Sequence, residues 1–304
     1  TIVLESLEEA VELDRIARRR RSRQAVLLRA TPHRLPPGYG LRLAGRPSPF
    51  GVDEEELAAV AAAVSRLSGL ELVGFHAYPG SQCLDAAAVV STMTDMARLF
   101  RDASMAVGLR PELLVFGPGL GVACHPGDQR LDLDVVAAGL GPVADGLRGD
   151  PVTSSAAAVL ELGRFLVAEA GVYLLRVRRV KTSRGTRFAL CDGGMHHHLA
   201  AGGHLGGPLA RTYAIAKVGG DLDAPPRRYD VAGPLCTSLD VLARNAELPE
   251  LAPGDVLAVP ASGAYGLTAS PVHFLSHPTP RELMVQGDEV RDVTSPGIRP
   301  RRIW

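Results

Sequence analysis

Residues 70–82 read L-E-L-V-G-F-H-A-Y-P-G-S-Q. Leu70 to His76 is a short apolar run of strand length, and Gly80-Ser81 follows where that strand would end. The same order recurs at 113–121, where Leu113 to Phe116 gives way to Gly117, Gly119 and Gly121, with a long helical pattern from Ala86 to Val107 in between. Towards the N-terminus, Ile2 to Leu4 and Ala25 to Arg29 read as strands. Between them Ser6 and Glu9 make a capping box for a helix with Val11, Leu13, Ile16 and Ala17 on one face. A Pro/Gly-rich loop from Pro32 to Phe50 leads to Asp53 and Glu56, which can cap a helix to about Leu67. Towards the C-terminus come a helix near Leu133 to Leu147 and a strand at Ala156 to Leu162. Alternating βα units of this kind predict a parallel sheet covered by helices, either doubly wound or closed as a barrel.

From about Val172 the rhythm changes. Runs at Val172 to Val180, Thr186 to Cys191, Tyr213 to Val218 and Val256 to Pro260 are separated by Gly/Pro turns, which predicts a mostly antiparallel β-domain. The expected domains are residues 1–170 and 171–304, and the last ten residues read as a loose tail. With 46% apolar residues in 304, the chain has material for a sizeable core. Its 33 basic residues balance 33 acidic ones, so nucleic acid and anionic membrane have no electrostatic case as partners. The basic run Arg18 to Arg23 closes a helix, where cations favour the dipole. No apolar run approaches the roughly 20 residues of a membrane span. Four cysteines without C-x-x-C spacing signal neither a disulfide framework nor a zinc site, and a reducing cytoplasm is expected. The chain opens at Thr1 directly on a strand-like run, so an upstream segment is expected.

Chemistry-bearing residues fall at strand ends. Glycines 117 and 119 let backbone N–H groups approach a phosphate, and the Ser81 hydroxyl adds a donor, although turn geometry alone also explains glycines there. In E-L-G-R at 161–164, a carboxylate can face a pyridine nitrogen and a guanidinium can grip a phosphate. A surface ion pair is the plainer reading. The run Met195-His196-His197-His198 invites a metal. Neighbours on a strand point to opposite faces, however, and no cysteine or carboxylate stands at ligand spacing, so polar or substrate contacts and no metal site are expected.

Taken in order, H-A-Y-P-G-S-Q (76–82), F-G-P-G-L-G (116–121), E-L-G-R (161–164), C-D-G-G-M (191–195), G-P-L-C-T-S-L-D (233–240) and G-A-Y-G (263–266) resemble the fold-type III pyridoxal-phosphate decarboxylases. That family includes the diaminopimelate, ornithine and arginine decarboxylases. The resemblance implies an alanine-racemase-like α/β (TIM) barrel followed by a mostly antiparallel β-domain, with pyridoxal 5′-phosphate as cofactor. It implies that Ser81, Gly117 and Gly119 cradle the phosphate with Arg164 and Tyr265, that Tyr78 stacks on the cofactor ring and that Glu161 pairs with its nitrogen. Cys236 would return a proton to the substrate carbon after reaching into the partner subunit's barrel, hence a homodimer with shared active sites.

Three departures refine this reading. Tyr78 stands where the family usually has histidine. Thr237 stands where an aspartate or glutamate usually meets the distal ammonium of a diamino acid, and a neutral hydroxyl cannot neutralise that charge. The motif C-D-G-G-M-H-H-H resembles a subgroup from specialised biosynthesis, some of whose members act on amino acids tethered to a carrier protein. The expected substrate is therefore an acidic or carrier-tethered amino acyl group near Thr237 and His196, ahead of diaminopimelate or ornithine. Finally, the family's cofactor-anchoring lysine lies on its first barrel strand, whereas T-I-V-L-E-S-L-E-E resembles roughly the fourth of eight. The first three βα units are then missing, the outer strands Ile2 to Leu4 and Ala156 to Leu162 are unpaired on one side, and Lys181 and Lys217 read as exposed structural lysines. Besides an enzyme, a non-catalytic remnant or regulatory homologue resembling the antizyme inhibitors fits this chain. Joint retention of Glu161, Arg164, Cys236 and Tyr265 favours the enzyme.

Overall fold

The computed structural model describes residues 1–205 and 211–294, so the tail expected at 295–304 lies outside the described residues. The chain forms two units, one of residues 1–123 with 129–166, the other of residues 124–128 with 167 onward. In the first unit the elements run β1 (Ile2–Leu4), α1 (Leu7–Arg19), β2 (Gln24–Thr31), β3 (Tyr39–Arg42), β4 (Val52–Asp53), α2 (Leu57–Val64), β5 (Leu70–Ala77), β6 (Gly80–Cys83), α3 (Ala86–Val107), β7 (Leu113–Phe116), α4 (Leu133–Gly149), β8 (Ala157–Leu160) and α5 (Gly163–Val167). The strands β1-β2-β5-β7-β8 lie side by side, all parallel, with β4 added beside β2.

Alternation along the strands divides the sheet's two faces. Val26, Leu28, Phe75, Ala77, Leu114 and Phe116 bury against the helices, where Phe100 of α3 stacks between Phe75 and Phe116. Leu27, Val73 and Val115 make a smaller cluster on the other face. The outer strands each pair on one side only, and Ile2, Val3, Val159 and Leu160 expose apolar side chains, as an incomplete barrel requires.

The helix α3 has the bounds read from the sequence. Asp85 caps its first turn by accepting from Ala88 N–H, and Gly108 ends it in the left-handed conformation at φ 65°. Other expectations need correction. On α1 the buried residues are Ala10, Asp14 and Ala17, while Val11 and Ile16 are exposed; the inward stripe follows i, i+4, i+7, and the Asp14 carboxylate is accommodated by accepting Gly69 N–H at 2.7 Å. The Ser6 cap holds, yet Glu9 reaches back to Glu5 N–H rather than to Ser6. Neither Asp53 nor Glu56 caps α2: Asp53 ends β4, and Glu56, at the N-cap position, makes no side-chain cap bond. The Pro/Gly-rich loop contains strand β3, which pairs antiparallel with β6.

The second unit carries β9 (Tyr173–Ser183), β10 (Thr186–Cys191), β11 (Ala216–Val218), β12 (Pro226–Ala232), β13 (Val241–Pro249), β14 (Val256–Val259) and a separate hairpin of β15 (Leu283–Gln286) and β16 (Glu289–Asp292). Its main sheet has the order β11-β14-β9-β10-β12-β13, antiparallel except for the pair β10–β12. Lys181 is exposed, as expected. Lys217 is not: its side chain is 5% exposed, with Nζ 3.0 Å from Asp255 and donating to the Glu250 carbonyl at 3.0 Å. Desolvating the ammonium is offset by that carboxylate, which a sequence pattern does not reveal.

A bulge in β5 sets the register of the first sheet. Val26 pairs with Leu72 and Leu27 with Gly74, so Val73 is the extra residue, and Gly74 adopts φ 154°. A Cβ on Gly74 would overlap the Leu113 carbonyl oxygen of β7. Gly74→Ala is expected to cost more than about 3 kcal/mol in denaturant unfolding. Gly108→Ala, also at positive φ but with nothing within 4 Å of its Cβ, should cost about 1 kcal/mol. Equal losses for the two would show that backbone strain, not the approach of β7, makes Gly74 necessary.

Candidate active site

At the carboxyl ends of β5 and β7 two turns are fastened to each other. Cys83 N–H donates to Gly119 O at 2.9 Å and Gly121 N–H to Cys83 O at 2.8 Å. The Gln82 side chain pairs with both backbone groups of Val122, at 2.7 and 2.9 Å, and the Tyr39 hydroxyl donates to Pro118 O at 3.1 Å. This contact needs glycine: at φ 68°, a Cβ on Gly119 would overlap the Gly80 carbonyl. A Cβ on Gly117 would overlap the Tyr78 ring, which therefore lies directly against that residue's backbone. Tyr78, Ser81, Gly117 and Gly119 are thus gathered into one concave turn pair, with Tyr78 and Ser81 half-buried.

The adjoining strand end supplies a carboxylate. His76, Val115 and Val159 occupy one register row across β5, β7 and β8, and Glu161 N–H continues the ladder by donating to Phe116 O at 2.9 Å. His76, 7% exposed at its side chain, sets Nε2 3.0 Å from Glu161 Oε2. Its Nδ1 is buried without a partner among the described residues. Glu161 is half exposed, which leaves Oε1 for a second donor. Arg164 follows, half-buried, in the short helix α5. The sequence reading missed His76 as the neighbour of Glu161; the signal was its place near the end of β5, two residues before Tyr78.

In the second unit one carboxylate organises two loops. Asp240, 2% exposed, accepts Met195 N–H at 2.7 Å through Oδ1 and Leu235 N–H at 2.8 Å through Oδ2. Side chains at Gly194 or Gly233 would overlap that carboxylate, so both loops approach it through glycine. This brings the C-D-G-G-M-H-H-H segment beside the segment that carries Cys236, which is exposed, and Thr237, which is half-buried. The Thr237 hydroxyl oxygen accepts Leu239 N–H at 3.3 Å and keeps its own proton for another acceptor.

The three histidines are not on a strand. They follow the end of β10 in turn conformation, and all three are buried. His197 is 3.2 Å from the Tyr173 hydroxyl through Nδ1 and 3.1 Å from Pro278 O through Nε2. His196 lies against the rings of His197, at 3.8 Å between centroids, and His277, at 5.2 Å. Neither of its nitrogens has a partner among the described residues. Burial first, and then the neighbouring imidazoles, push its pKa down to about 4. Tyr265 is 45% exposed at φ 54° in the turn after β14, where Gly263 packs against the Val167 carbonyl and Gly171. Among the described residues, one further group of potential metal ligands occurs, Cys124 with His125 and Asp128.

A family model described as "Pyridoxal-dependent decarboxylase, C-terminal sheet domain" matches residues 22–263. Among curated proteins, the L-glutamyl-[BtrI acyl-carrier protein] decarboxylase of Niallia circulans is 34% identical over 93% of this chain and 66% of its own length. The diaminopimelate decarboxylase of Methanothermobacter thermautotrophicus is 33% identical over 81% of this chain and 56% of its own. The chain thus spans less than two thirds of these relatives. Among solved structures, diaminopimelate decarboxylase from Helicobacter pylori complexed with L-lysine superposes with a TM-score of 0.78 at 26% identity, covering 95% of this chain and 68% of that one. The strand-end turns and the Asp240-centred loops are built from the motif segments inside the matched region, and the chain belongs to the pyridoxal-dependent decarboxylase family.

Proposed function

We propose that this chain serves a pyridoxal-phosphate-dependent amino-acid decarboxylase that works as a homodimer with shared active sites on an acidic or carrier-tethered amino acyl group. The observation that carries the reading is the turn pair at 80–81 and 117–119, where backbone meets backbone at a distance only glycine allows. Such a cradle lets a phosphate approach the backbone at Gly119 and the Ser81 hydroxyl, with the Tyr78 ring beside it for a planar ring. Glu161 offers its exposed oxygen to a pyridine nitrogen, and Arg164 and Tyr265 add phosphate contacts. The residues fit the cofactor. When bound, pyridoxal phosphate supplies an electron sink for the pair left by departing carbon dioxide.

The remaining work falls to side chains. Glu161 would hold the ring nitrogen through one carboxylate oxygen, with His76 3.0 Å from the other. Cys236 delivers a proton from Sγ to the substrate carbon; its exposure suits a residue that acts on a partner's site. Thr237 presents a neutral donor where a distal ammonium would need an acid. His196, uncharged near neutral pH, can bond an amide or carbonyl of an acyl linkage through its unpartnered nitrogens. A relative named for a glutamyl group on an acyl-carrier protein supports that substrate class. With no disulfide, and no described helix long and apolar enough to cross a membrane, a cytoplasmic site of action fits. Both lysines of the chain belong to the second unit and Lys217 is engaged by Asp255, so neither is assigned to the cofactor.

Carbon dioxide release by the gene product containing residues 1–304 tests the function. Glutamyl and related acyl groups on a carrier protein should react well above free lysine precursors; activity confined to diaminopimelate or ornithine would overturn the substrate assignment. Cys236→Ala should slow release by about 100-fold while cofactor absorbance is kept, and an unchanged rate would remove the thiol from the proton path. The pH dependence of stability has a fixed sign. Between about 4 and the ordinary histidine value, the unfolded chain binds a proton at His196 that the folded chain does not, so stability falls as pH drops through that window. His196→Gln should flatten the slope in urea midpoints measured across it; an unaltered slope would count against a buried neutral imidazole.

A further inference from the structure

The segment C-H-P-G-D at 124–128 belongs to no motif used above, and it gathers three donors of different chemistry. Cys124 Sγ is 3.5 Å from His125 Nδ1, and His125 Nδ1 is 3.0 Å from Asp128 Oδ2. All three ligand atoms lie within 4.8 Å of one another. Cys124 is 3% exposed, and the side chains of His125 and Asp128 are 15% and 6% exposed. We propose that Cys124 Sγ, His125 Nδ1 and Asp128 Oδ2 form a binding site for a divalent transition cation of the zinc class, with a fourth position open to water.

The separations suit that ion. Tetrahedral zinc at ordinary bond lengths sets sulfur and nitrogen roughly 3.6 Å apart and nitrogen and oxygen roughly 3.4 Å apart. Cys124 Sγ is also 3.9 Å from His125 Nε2 and so stands over the ring, and a turn of the imidazole that aims Nδ1 at the ion seats it. A thiol and an imidazole in the set select zinc-like ions over magnesium or calcium. Binding releases the Cys124 proton, and the thiolate and carboxylate supply two negative charges towards the dication.

The surroundings hold the donors in place without the ion. Asp128 N–H donates to His125 O at 3.1 Å and His125 N–H to Asp128 Oδ2 at 3.0 Å, closing a turn through Gly127 at φ 81°. Ala214 N–H donates to Cys124 O at 2.7 Å, and the Tyr213 ring meets His125 edge-on at 5.5 Å. Arg211 donates to the other carboxylate oxygen, Oδ1, at 2.8 Å, which orients Oδ2 towards His125. Every residue of the site lies in the second unit, so the site does not depend on the cofactor assignment.

Titration of the full chain with Co²⁺ in reducing, metal-free buffer tests the site by absorbance. One Co²⁺ per chain should bind with a near-ultraviolet thiolate-to-metal charge-transfer band, displaced by Zn²⁺ and not by Mg²⁺. Cys236→Ser should keep the band and Cys124→Ser should lose it, while Arg211→Met should weaken binding about 10-fold. Absence of the band from the unsubstituted chain, or its survival in Cys124→Ser with native circular dichroism, overturns the site. These outcomes need no decarboxylase activity, so the metal site and the proposed reaction stand or fall separately.

Discussion

The candidate cofactor site rests on one steric constraint, the contact of two backbone turns at Gly80 and Gly119. Hydrogen alone fits between them, and because it does, the ends of β5 and β7 become one surface. The bonds that follow, from Cys83 to Gly119 and from Gln82 to Val122, are each ordinary in strength. Their joint effect is to fix the path of both backbone segments and the Tyr78 ring. A fixed path loses little entropy when a ligand meets it.

Electrostatics complete what packing starts. A half-exposed Glu161 would by itself be a poor positional cue, since a lone carboxylate on an edge strand can swing. The buried His76 ring, on the same face of the sheet, gives it one preferred place. In the second unit the burial works in the other direction: His196 sits among imidazoles, and burial first, then those rings, push its pKa down to about 4.

How much of this could be read from residues alone depends on how local each determinant is. The helix at Ala86–Val107 carries both of its caps in sequence, Asp85 and Gly108, and its bounds were legible to the residue. Strand β3 was not, because its Pro/Gly-rich composition says loop and its partner β6 is distant in sequence. The polar strands β12 and β13 also escaped, since alternation on an exposed sheet face leaves few apolar markers. The strand-end glycines also serve turn geometry, so the sequence singled them out only through the order of the motifs along the chain. The histidine triplet was misplaced on a strand by assuming β10 continued, and the C-H-P-G-D turn was passed over because metal spacing was sought only between cysteines and around that triplet. Lys217 needed its partner Asp255, which no pattern within β11 announces.

The Asp240 carboxylate separates what must stay from what can change. Its two bonds go to backbone N–H groups of Met195 and Leu235, and it asks of its surroundings only glycine at 194 and 233. The side chains at 196, 237 and their neighbours are left chemically unconstrained by that anchor. Substitution in either loop is therefore accommodated without disturbing the path of the other, so that the anchor tolerates change in the side chains it holds side by side.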